Sequence, residues 1–360
     1  MNALYLERQR KLQLKLNESS VDALLILGFE NIRYLTGYSG NAAYLLFRSD
    51  GHILITDYRY YQRALNETVG ATIYERDREA QTLGEAIKSF LGKSHTLGFE
   101  SNFITVGTWQ EVLKSLDTFD VKPVNGLVES IRARKEPIEI AAMRKAAAIA
   151  DEALSQTLKL IETGVTERDL ALELDYRMKK LGSDGVSFDT ILLFGERSAL
   201  PHGKPGDTAL SEGDFILVDF GAVINGYRSD MTRTYVHGEP SAQQRHMYEA
   251  VEVAQRQCFA QLAPGISCKT LNAISEQVLT EYGYKKFAGK GLGHGVGLFL
   301  HEFPFINRTT DYALEVGNVI TIEPGVYLPE IGGVRLEDDV LITEHGFEFL
   351  THAPKHIHWK

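Results

Sequence analysis

The chain has little cysteine, no long apolar run and no long basic run. Only two of its 360 residues are cysteines, Cys258 and Cys268, which is too few for a disulfide framework and suits a reducing compartment. No stretch is long and apolar enough to span a bilayer. Residues 1–20 have a charged amphipathic pattern rather than the apolar centre of a signal peptide. We therefore expect a cytoplasmic protein.

The charge balance is acidic, with a formal net charge of −10. Together with the lack of a basic run, this charge argues against nucleic acid and anionic membranes as the main partners. A chain of this length exceeds what one hydrophobic core usually holds, so two domains are expected.

Residues 1–130 alternate short helical and strand patterns, which predict a mixed α/β domain. No catalytic constellation is visible in this part of the sequence. The composition turns charged over 132–136, and Pro137 suits the first turn of a long helix. We place the boundary after residue 130 and expect a second domain over 131–360.

The second domain contains an internal repeat. Segments 164–182 and 265–283 each consist of a Gly, a β-branched residue and a Ser/Thr N-cap, followed by a helical pattern of the same length that ends on a Gly. Each segment follows a longer helical pattern and precedes strand-rich sequence. Residues of about 136–240 and 241–350 are therefore interpreted as two copies of one helix-helix-sheet unit.

Two acidic residues lie inside apolar strand patterns of the first copy. An apolar run leads to Asp219, a turn follows at Asn225-Gly226, and Asp230 precedes a second alternating run. This order predicts a β-hairpin in which Asp219 lies opposite Thr232, with Asp230 one diagonal step away on the same face. Because converging buried carboxylates are costly without a cation between them, we predict a metal site.

The second copy carries a matching pair of acids, Glu323 and Glu337. They face each other only if the connection between their strands is odd in length or bulged, because a one-residue slip moves a side chain to the other face of a sheet. Asp338 and Asp339 follow Glu337 directly. The choice among these three acids therefore depends on the register of the hairpin.

Histidines accompany both acid-bearing hairpins. His294 lies in the Gly-rich segment 291–297, His301 follows it, and His202 precedes the first hairpin at a nearly equivalent repeat position. The Gly-rich segment could instead cradle phosphate, but it lacks the Lys-Ser/Thr of a P-loop and the context of a dinucleotide fold. The Asp-Phe-Gly at 219–221 occurs in kinases, but no other kinase motif accompanies it.

The predicted ligand set is four carboxylates and one imidazole. Such a set suits Mn²⁺ first, and then Co²⁺, Fe²⁺ or Zn²⁺. Four carboxylates carry more charge than one divalent ion balances, so two ions are expected. The three histidines near the C-terminus are expected to lie on a frayed, solvated end rather than to bind metal; they are His352, His356 and His358.

These motifs resemble those of the proline-specific metallopeptidases of the pita-bread fold, which include prolidase (Xaa-Pro dipeptidase) and aminopeptidase P. Methionine aminopeptidase and creatinase are more distant relatives. The resemblance covers nearly the whole chain, and segments 31–37 and 55–60 are similar to a creatinase-like N-terminal domain. It implies an α+β fold, with a pita-bread C-terminal domain built on a pseudo-twofold repeat and a smaller creatinase-like α/β N-terminal domain. It also implies a homodimer.

The resemblance assigns roles to single residues. The metal ligands it implies are Asp219, Asp230, His294, Glu323 and Glu337. Asp219 would hold one ion, His294 and Glu323 the other, and Asp230 and Glu337 would bridge both. The catalytic residues it implies are His202, His301 and Glu323. The candidates for binding substrate are His202, His301, Arg335 and Arg308.

The activity implied by the resemblance is dinuclear-metal-dependent hydrolysis of the imide bond before proline in a small peptide. We favour an Xaa-Pro dipeptidase because the chain is compact, with aminopeptidase P, acting on longer peptides, as the alternative. A non-catalytic pita-bread binding protein and a metal-free creatinase-like hydrolase are also considered, but both predict eroded metal ligands, and no ligand position is lost here. Phe299 replaces an acidic residue usual in the family, so its surroundings are expected to differ.

Overall fold

The computed structural model describes residues 2–92, 95–356 and 358–359. The chain forms two compact units, Met1–Arg132 and Ala133–Lys360. Within the described ranges, no helix has both the length and the apolar character needed to cross a membrane.

The first unit is an α/β domain around one mixed sheet. Its helices are α1 (Asn2–Asn17), α2 (Phe29–Thr36), α3 (Tyr58–Glu67), α4 (Leu83–Leu91), α5 (Val106–Leu113) and α6 (Leu127–Arg132). Its strands are β1 (Ala23–Ile26), β2 (Tyr44–Arg48), β3 (His52–Thr56), β4 (Ala71–Glu75), β5 (Thr96–Phe99) and β6 (Asp120–Pro123). They are ordered β4-β3-β2-β1-β5-β6. A short 3₁₀ helix spans Ser101–Phe103.

The second unit carries long helices and several small sheets. Its helices are α7 (Pro137–Thr157), α8 (Glu167–Lys180), α9 (Ala242–Gln261) and α10 (Cys268–Glu281), with 3₁₀ turns at Leu158–Leu160 and Gly195–Ala199. The strands of its first half are β7 (Gly185–Val186), β8 (Ile191–Phe194), β9 (Phe215–Phe220), β10 (Ala222–Ile224), β11 (Tyr227–Arg228) and β12 (Met231–His237). Those of its second half are β13 (Gly293–Gly295), β14 (Glu302–Ile306), β15 (Val319–Ile322), β16 (Gly325–Leu328), β17 (Gly332–Arg335), β18 (Asp338–Thr343), β19 (Gly346–Phe349) and β20 (His358–Trp359).

The two copies of the predicted repeat share helix lengths, N-caps and individual hydrogen bonds. Helices α8 and α10 both have 14 residues, and the Thr166 and Ser267 side chains cap their N-termini. Two residues before each cap, a Gly N–H donates to a backbone carbonyl, that of Leu210 in the first copy and Leu314 in the second. The two copies therefore fold as equivalent units.

Each helix pair packs on the sheet of its own copy and thereby orients the strands. Val218 and Phe220 of β9 pack with residues of α7 and α8, and Ile320 and Ile322 of β15 pack with residues of α9 and α10. Burying such a side chain contributes roughly 1.5–3 kcal/mol. Because side chains alternate along a strand, this packing directs Asp219 to the face away from the helices.

The C-terminal segment is tied to the second unit, so the prediction of a frayed end is wrong. The Asp151 carboxylate accepts hydrogen bonds from the N–H groups of His352 and Ala353. Strand β20 pairs with the end of β12. The three histidines of the segment are exposed, and the part of the segment that the structure describes contributes no ligand to the cluster of metal-binding groups described below.

Candidate metal centre

The first acid-bearing hairpin has the predicted register. Asp219 on β9 lies opposite Thr232 on β12, and the same register continues through β10 and β11 to the Asn225-Gly226 turn. The φ angles at this turn are 52° for Asn225 and 78° for Gly226, as a type I′ turn requires. Asp230 therefore lies on the face of Asp219, one diagonal step away.

The second hairpin brings Glu323 and Glu337 face to face. The pairing of β15 with β18 and that of β16 with β17 follow one continuous register. Because Ile322 lies opposite Asp338, the next position, Glu323, lies opposite Glu337. The connection between β16 and β17 spans three residues, 329–331, which is the odd length predicted from the sequence.

His294 lies among the carboxylates of both hairpins. Buried Asp230, His294 and Glu337 each offer a ligand atom within 4.8 Å of the others. His294 Nε2 lies 3.6 Å from Asp230 Oδ2 and 3.3 Å from Glu323 Oε1. Its Nδ1 lies 3.0 Å from the Gly295 carbonyl, which only accepts, so the proton belongs on Nδ1 and the Nε2 lone pair faces the carboxylates.

Burial and mutual repulsion oppose ionisation of these carboxyl groups. Burial, and then the Glu337 carboxylate, raise the pKa of Asp230 well above its ordinary value. Burial, and then the Glu323 carboxylate, do the same to the pKa of Glu337. Burial lowers the pKa of His294, which favours the neutral imidazole that a metal requires. A cation in the cluster would relieve the repulsion.

Asp219 completes the cluster and is held by Arg335. Arg335 Nη2 donates to Asp219 Oδ2, and Arg335 Nη1 donates to the Tyr327 hydroxyl at 2.7 Å. Asp219 Oδ1 is buried and has no hydrogen-bond partner in the part of the chain that the structure describes. Because an unpartnered buried anionic oxygen is costly, this oxygen fits a metal ligand.

Two threonines that we did not predict as site residues orient the glutamates of the second hairpin. Thr232 Oγ1 donates to Glu337 Oε2 at 2.6 Å. Thr321 Oγ1 donates to Glu323 Oε1 at 3.0 Å and accepts from the His294 N–H at 3.0 Å. Thr321 precedes Glu323 by two residues and shares its strand face, so strand alternation is a signal that could have identified it.

Hydrogen bonds distinguish Glu337 from the two acids that follow it. Asp338 accepts from Arg233 Nη2 at 2.8 Å and does not join the cluster. Asp339 Oδ2 accepts from the backbone N–H of Asp230 at 2.8 Å. Of the three consecutive acids, Glu337 is the one that lies with Asp230 and His294.

A cavity of about 1120 Å³ opens over the cluster. Among the predicted site residues, those that line it are Asp219, Asp230, His294, Glu323, Glu337, His202, His301 and Arg335. The His301 ring stands edge-to-face against the His294 ring, with centroids 4.4 Å apart. Burial, and then His294, lower the pKa of His301, so both rings favour the neutral form. The lining also includes the rings of Phe188, Phe287 and Phe305.

Arg308 lies outside this lining, so the structure does not bring it together with the other predicted site residues. Arg308 Nε donates to Glu276 Oε1 of α10 at 2.6 Å, and 73% of its side chain is exposed. Phe299 is exposed and is likewise absent from the lining. Its backbone N–H donates to the Glu302 carboxylate.

Comparison with known proteins identifies the family. Residues 141–344 match the model of metallopeptidase family M24, and residues 8–134 match that of the creatinase/prolidase N-terminal domain. The chain belongs to metallopeptidase family M24. It is 36% identical to the Xaa-Pro dipeptidase of Pyrococcus horikoshii over 353 residues, which is 98% of each chain.

Two solved structures are similar over nearly the full length. An Xaa-Pro dipeptidase from Bacillus anthracis has a TM-score of 0.94 at 35% identity, covering 99% of this chain and 100% of that one. An X-Pro aminopeptidase from Thermotoga maritima has a TM-score of 0.88 at 34% identity, covering 98% and 99%. The predicted metallopeptidase and the predicted fold are confirmed: a pita-bread C-terminal domain with a creatinase-like N-terminal domain.

Proposed function

We propose that this protein is an Xaa-Pro dipeptidase that hydrolyses the imide bond before proline with the help of two divalent metal ions. The observation that carries the proposal is the meeting of two acid-bearing hairpins, one from each repeat copy, around the His294 imidazole in a single cavity. The full-length similarity to Xaa-Pro dipeptidases of two organisms supports the choice of substrate.

The residues that would hold the ions are Asp219, Asp230, His294, Glu323 and Glu337. When bound, such ions act as Lewis acids and lower the pKa of water toward neutrality. Mn²⁺ is proposed first because the donor set is rich in carboxylate oxygen with a single imidazole; Co²⁺, Fe²⁺ and Zn²⁺ are the alternatives.

The chain supplies proton transfer and charge stabilisation. The leaving proline nitrogen carries no N–H and must gain a proton to depart. We assign this transfer to Glu323, which would take a proton from the attacking water and pass it to the nitrogen, because its carboxylate lines the cavity and is held by the Thr321 hydroxyl. His202 and His301 line the same cavity and donate to the carbonyl oxygen as negative charge develops on it.

Substrate recognition is assigned to the cavity wall. Phe188, Phe287 and Phe305 line the cavity and offer apolar surface to the proline ring. Arg335 lines it too and is buried against Asp219 and Tyr327. We propose that Arg335 aligns Asp219 and adds positive charge on the side of the substrate carboxylate.

Aminopeptidase P activity is the second candidate. The cavity volume of about 1120 Å³ exceeds the roughly 300–1,000 Å³ that suffices for a drug-sized ligand, so there is room for residues beyond the proline. The similarity to an X-Pro aminopeptidase also favours this candidate.

Hydrolysis of Gly-Pro and Gly-Pro-Ala by the Mn²⁺-loaded chain distinguishes the two candidates. The dipeptidase proposal predicts that kcat/KM is greater for Gly-Pro. Preferential release of glycine from Gly-Pro-Ala would favour the aminopeptidase instead. Gly-Ala is the control for proline specificity, and cleavage of Gly-Ala as fast as Gly-Pro would contradict both candidates.

We also propose a homodimer in a reducing, cytoplasmic location. The proposal of a dimer is based on the family resemblance. Analytical ultracentrifugation tests it, because a dimer has twice the mass of the 40.2 kDa chain. The location is supported by the two cysteines, which are free and buried, as expected in a reducing compartment.

A further inference from the structure

Arg233 is a buried arginine on β12, directly after Thr232. Its side chain is 1% exposed. Because side chains alternate along a strand, Arg233 points away from the face that carries Thr232 and Asp230. Burying a guanidinium costs free energy unless its N–H groups find hydrogen-bond acceptors. The acceptors of Arg233 therefore indicate its role.

The Arg233 guanidinium connects three separate parts of the second unit. Nη1 donates to the Thr232 carbonyl of its own hairpin at 2.9 Å and to the Glu337 carbonyl of the second hairpin at 2.6 Å. Nη2 donates to Asp338 Oδ1 at 2.8 Å. Nε donates to the Ala353 carbonyl of the C-terminal segment at 2.9 Å.

These contacts fix the backbone of a predicted bridging ligand. The Glu337 N–H donates to the Thr232 carbonyl at 3.1 Å, and the Glu337 carbonyl accepts from Arg233. The Glu337 carboxylate accepts from the Thr232 hydroxyl. The first hairpin therefore holds the N–H, the carbonyl and the side chain of a ligand that belongs to the second hairpin.

Asp338 anchors Arg233 and is itself compensated by the C-terminal segment 351–355. Thr351 Oγ1 donates to Asp338 Oδ1 at 3.0 Å, and the Lys355 ammonium pairs with Asp338 Oδ2. The Asp338 side chain is 1% exposed. Its two cationic neighbours remove the cost of an unpaired buried carboxylate.

We propose that Arg233, anchored by Asp338 and the segment 351–355, is a positioning residue that sets the spacing of the two acid-bearing hairpins so that their carboxylates share two metal ions. This inference rests on the proposed two-metal function. Stability alone does not account for the arrangement, because a buried ion pair is often no better than apolar residues of similar volume. A fixed spacing between two ligand-bearing strands does account for it.

Mn²⁺ binding by the full chain tests the inference, measured by calorimetry and by electron paramagnetic resonance. Arg233→Met should weaken Mn²⁺ binding by about 10- to 100-fold, the usual effect of losing a partner that orients metal ligands. The spin-coupled signal of a paired Mn²⁺ site should give way to the six-line signal of isolated ions. The double variant Arg233→Met with Asp338→Leu removes both members of the buried ion pair. Lys355 then loses its carboxylate partner, but it is 24% exposed and keeps its hydrogen bond to Gln255 Oε1. This variant should bind Mn²⁺ as weakly as Arg233→Met.

Arg8→Met is the matched control. Arg8 is 2% exposed and donates to the Tyr34 carbonyl at 2.9 Å within the first unit. Its loss should lower the Tm while leaving the Mn²⁺ isotherm and the coupled signal as in the wild type. A weakened Mn²⁺ isotherm in this variant would overturn the inference, because general destabilisation would then account for the effect.

Other outcomes separate the inference from the proposed function. Wild-type affinity and coupling in Arg233→Met, or in the double variant, would overturn the inference and leave the proposed function intact. A wild-type chain that binds no pair of Mn²⁺ ions would overturn both. If Arg233→Met does not fold, Arg233→Lys keeps the charge with fewer donors and should bind Mn²⁺ with intermediate affinity. Full affinity in Arg233→Lys would contradict the inference.

Discussion

Glu323 and Glu337 lie directly opposite each other across one hairpin, at the point where the pairing of β15 with β18 passes into that of β16 with β17. Asp230 approaches them from the other hairpin. Without a cation, these facing carboxylates destabilise the fold; with divalent ions between them, the same arrangement becomes a binding site. Removing one of these charges should therefore have opposite effects on the stability of the metal-free chain and of the metal-bound chain. Both effects can be measured.

Asp230→Asn should separate these two effects. In the presence of a chelator, the variant should have a higher Tm than the wild type, because one of the repelling buried charges is gone. With Mn²⁺, the wild type should gain more stability than the variant. Activity on Xaa-Pro dipeptides should fall by more than about 100-fold, because losing a direct ligand costs at least as much as losing a partner of a ligand. Thermal scans and dipeptide assays provide both measurements.

Asp311→Asn is the control for Asp230→Asn, because its carboxylate is 90% exposed. It should leave both Tm values and the activity unchanged. An Asp230→Asn variant that keeps the full Mn²⁺-induced rise in Tm would contradict the assignment of Asp230 as a shared ligand.

Arg335 and Arg308 make opposite predictions, although both were candidates for the substrate carboxylate. Arg335→Lys should lower kcat/KM by about 10- to 100-fold, because Lys cannot reproduce the planar fork of donors that reaches Asp219 and Tyr327. Arg308→Ala should change kcat/KM by less than about twofold, as is usual for an exposed position. Steady-state kinetics on Gly-Pro measures both effects, and equal losses in the two variants would refute this distinction.

Glu100 in the first unit should make stability depend on pH. Its carboxylate accepts from the N–H groups of Leu27 and Gly28 and from the Asn31 amide, yet burial raises its pKa from 4.5 to about 7. Because the folded-state pKa exceeds the unfolded-state value, the contribution of Glu100 to stability is complete below about pH 4.5 and is lost as the pH rises through about 7. Relative to Glu100→Gln, the free energy of unfolding of the wild type should fall by about 3 kcal/mol across this window.

Trp109 fluorescence during urea unfolding, in a Trp359→Phe background, reports on this effect. The Trp109 ring stacks on the Phe99 ring with centroids 3.7 Å apart, and Phe99 directly precedes Glu100 in the chain. Taking the difference between the wild type and Glu100→Gln at each pH cancels the titration of other groups. A difference that stays constant between about pH 4.5 and 7 would show that folding does not raise the pKa of Glu100.

The geometry of each hairpin was predictable from local sequence. The Asn225-Gly226 turn specifies the register that places Asp219 opposite Thr232, and strand alternation then determines the position of Asp230. The odd connection required for Glu323 and Glu337 followed from the same two-residue period, because both hairpins depend on neighbours close in sequence.

The contacts that join the hairpins were not predictable in this way. Arg233 meets Glu337 and Ala353, partners more than one hundred residues away, and no local pattern marks them. The same holds for Arg308, which pairs with Glu276 on α10, a partner that its place in the sequence near the second hairpin does not indicate. The expectation of a frayed C-terminus failed for the same reason, because Asp151, which binds that segment, belongs to the distant helix α7.

The most direct test of the two-metal proposal is titration of the chelator-treated chain with Mn²⁺ while Gly-Pro hydrolysis is assayed. A two-metal site requires that the metal-free chain shows no hydrolysis and that activity recovers fully at two equivalents of Mn²⁺. Hydrolysis of Gly-Pro at the full rate by the metal-free chain would contradict the proposal.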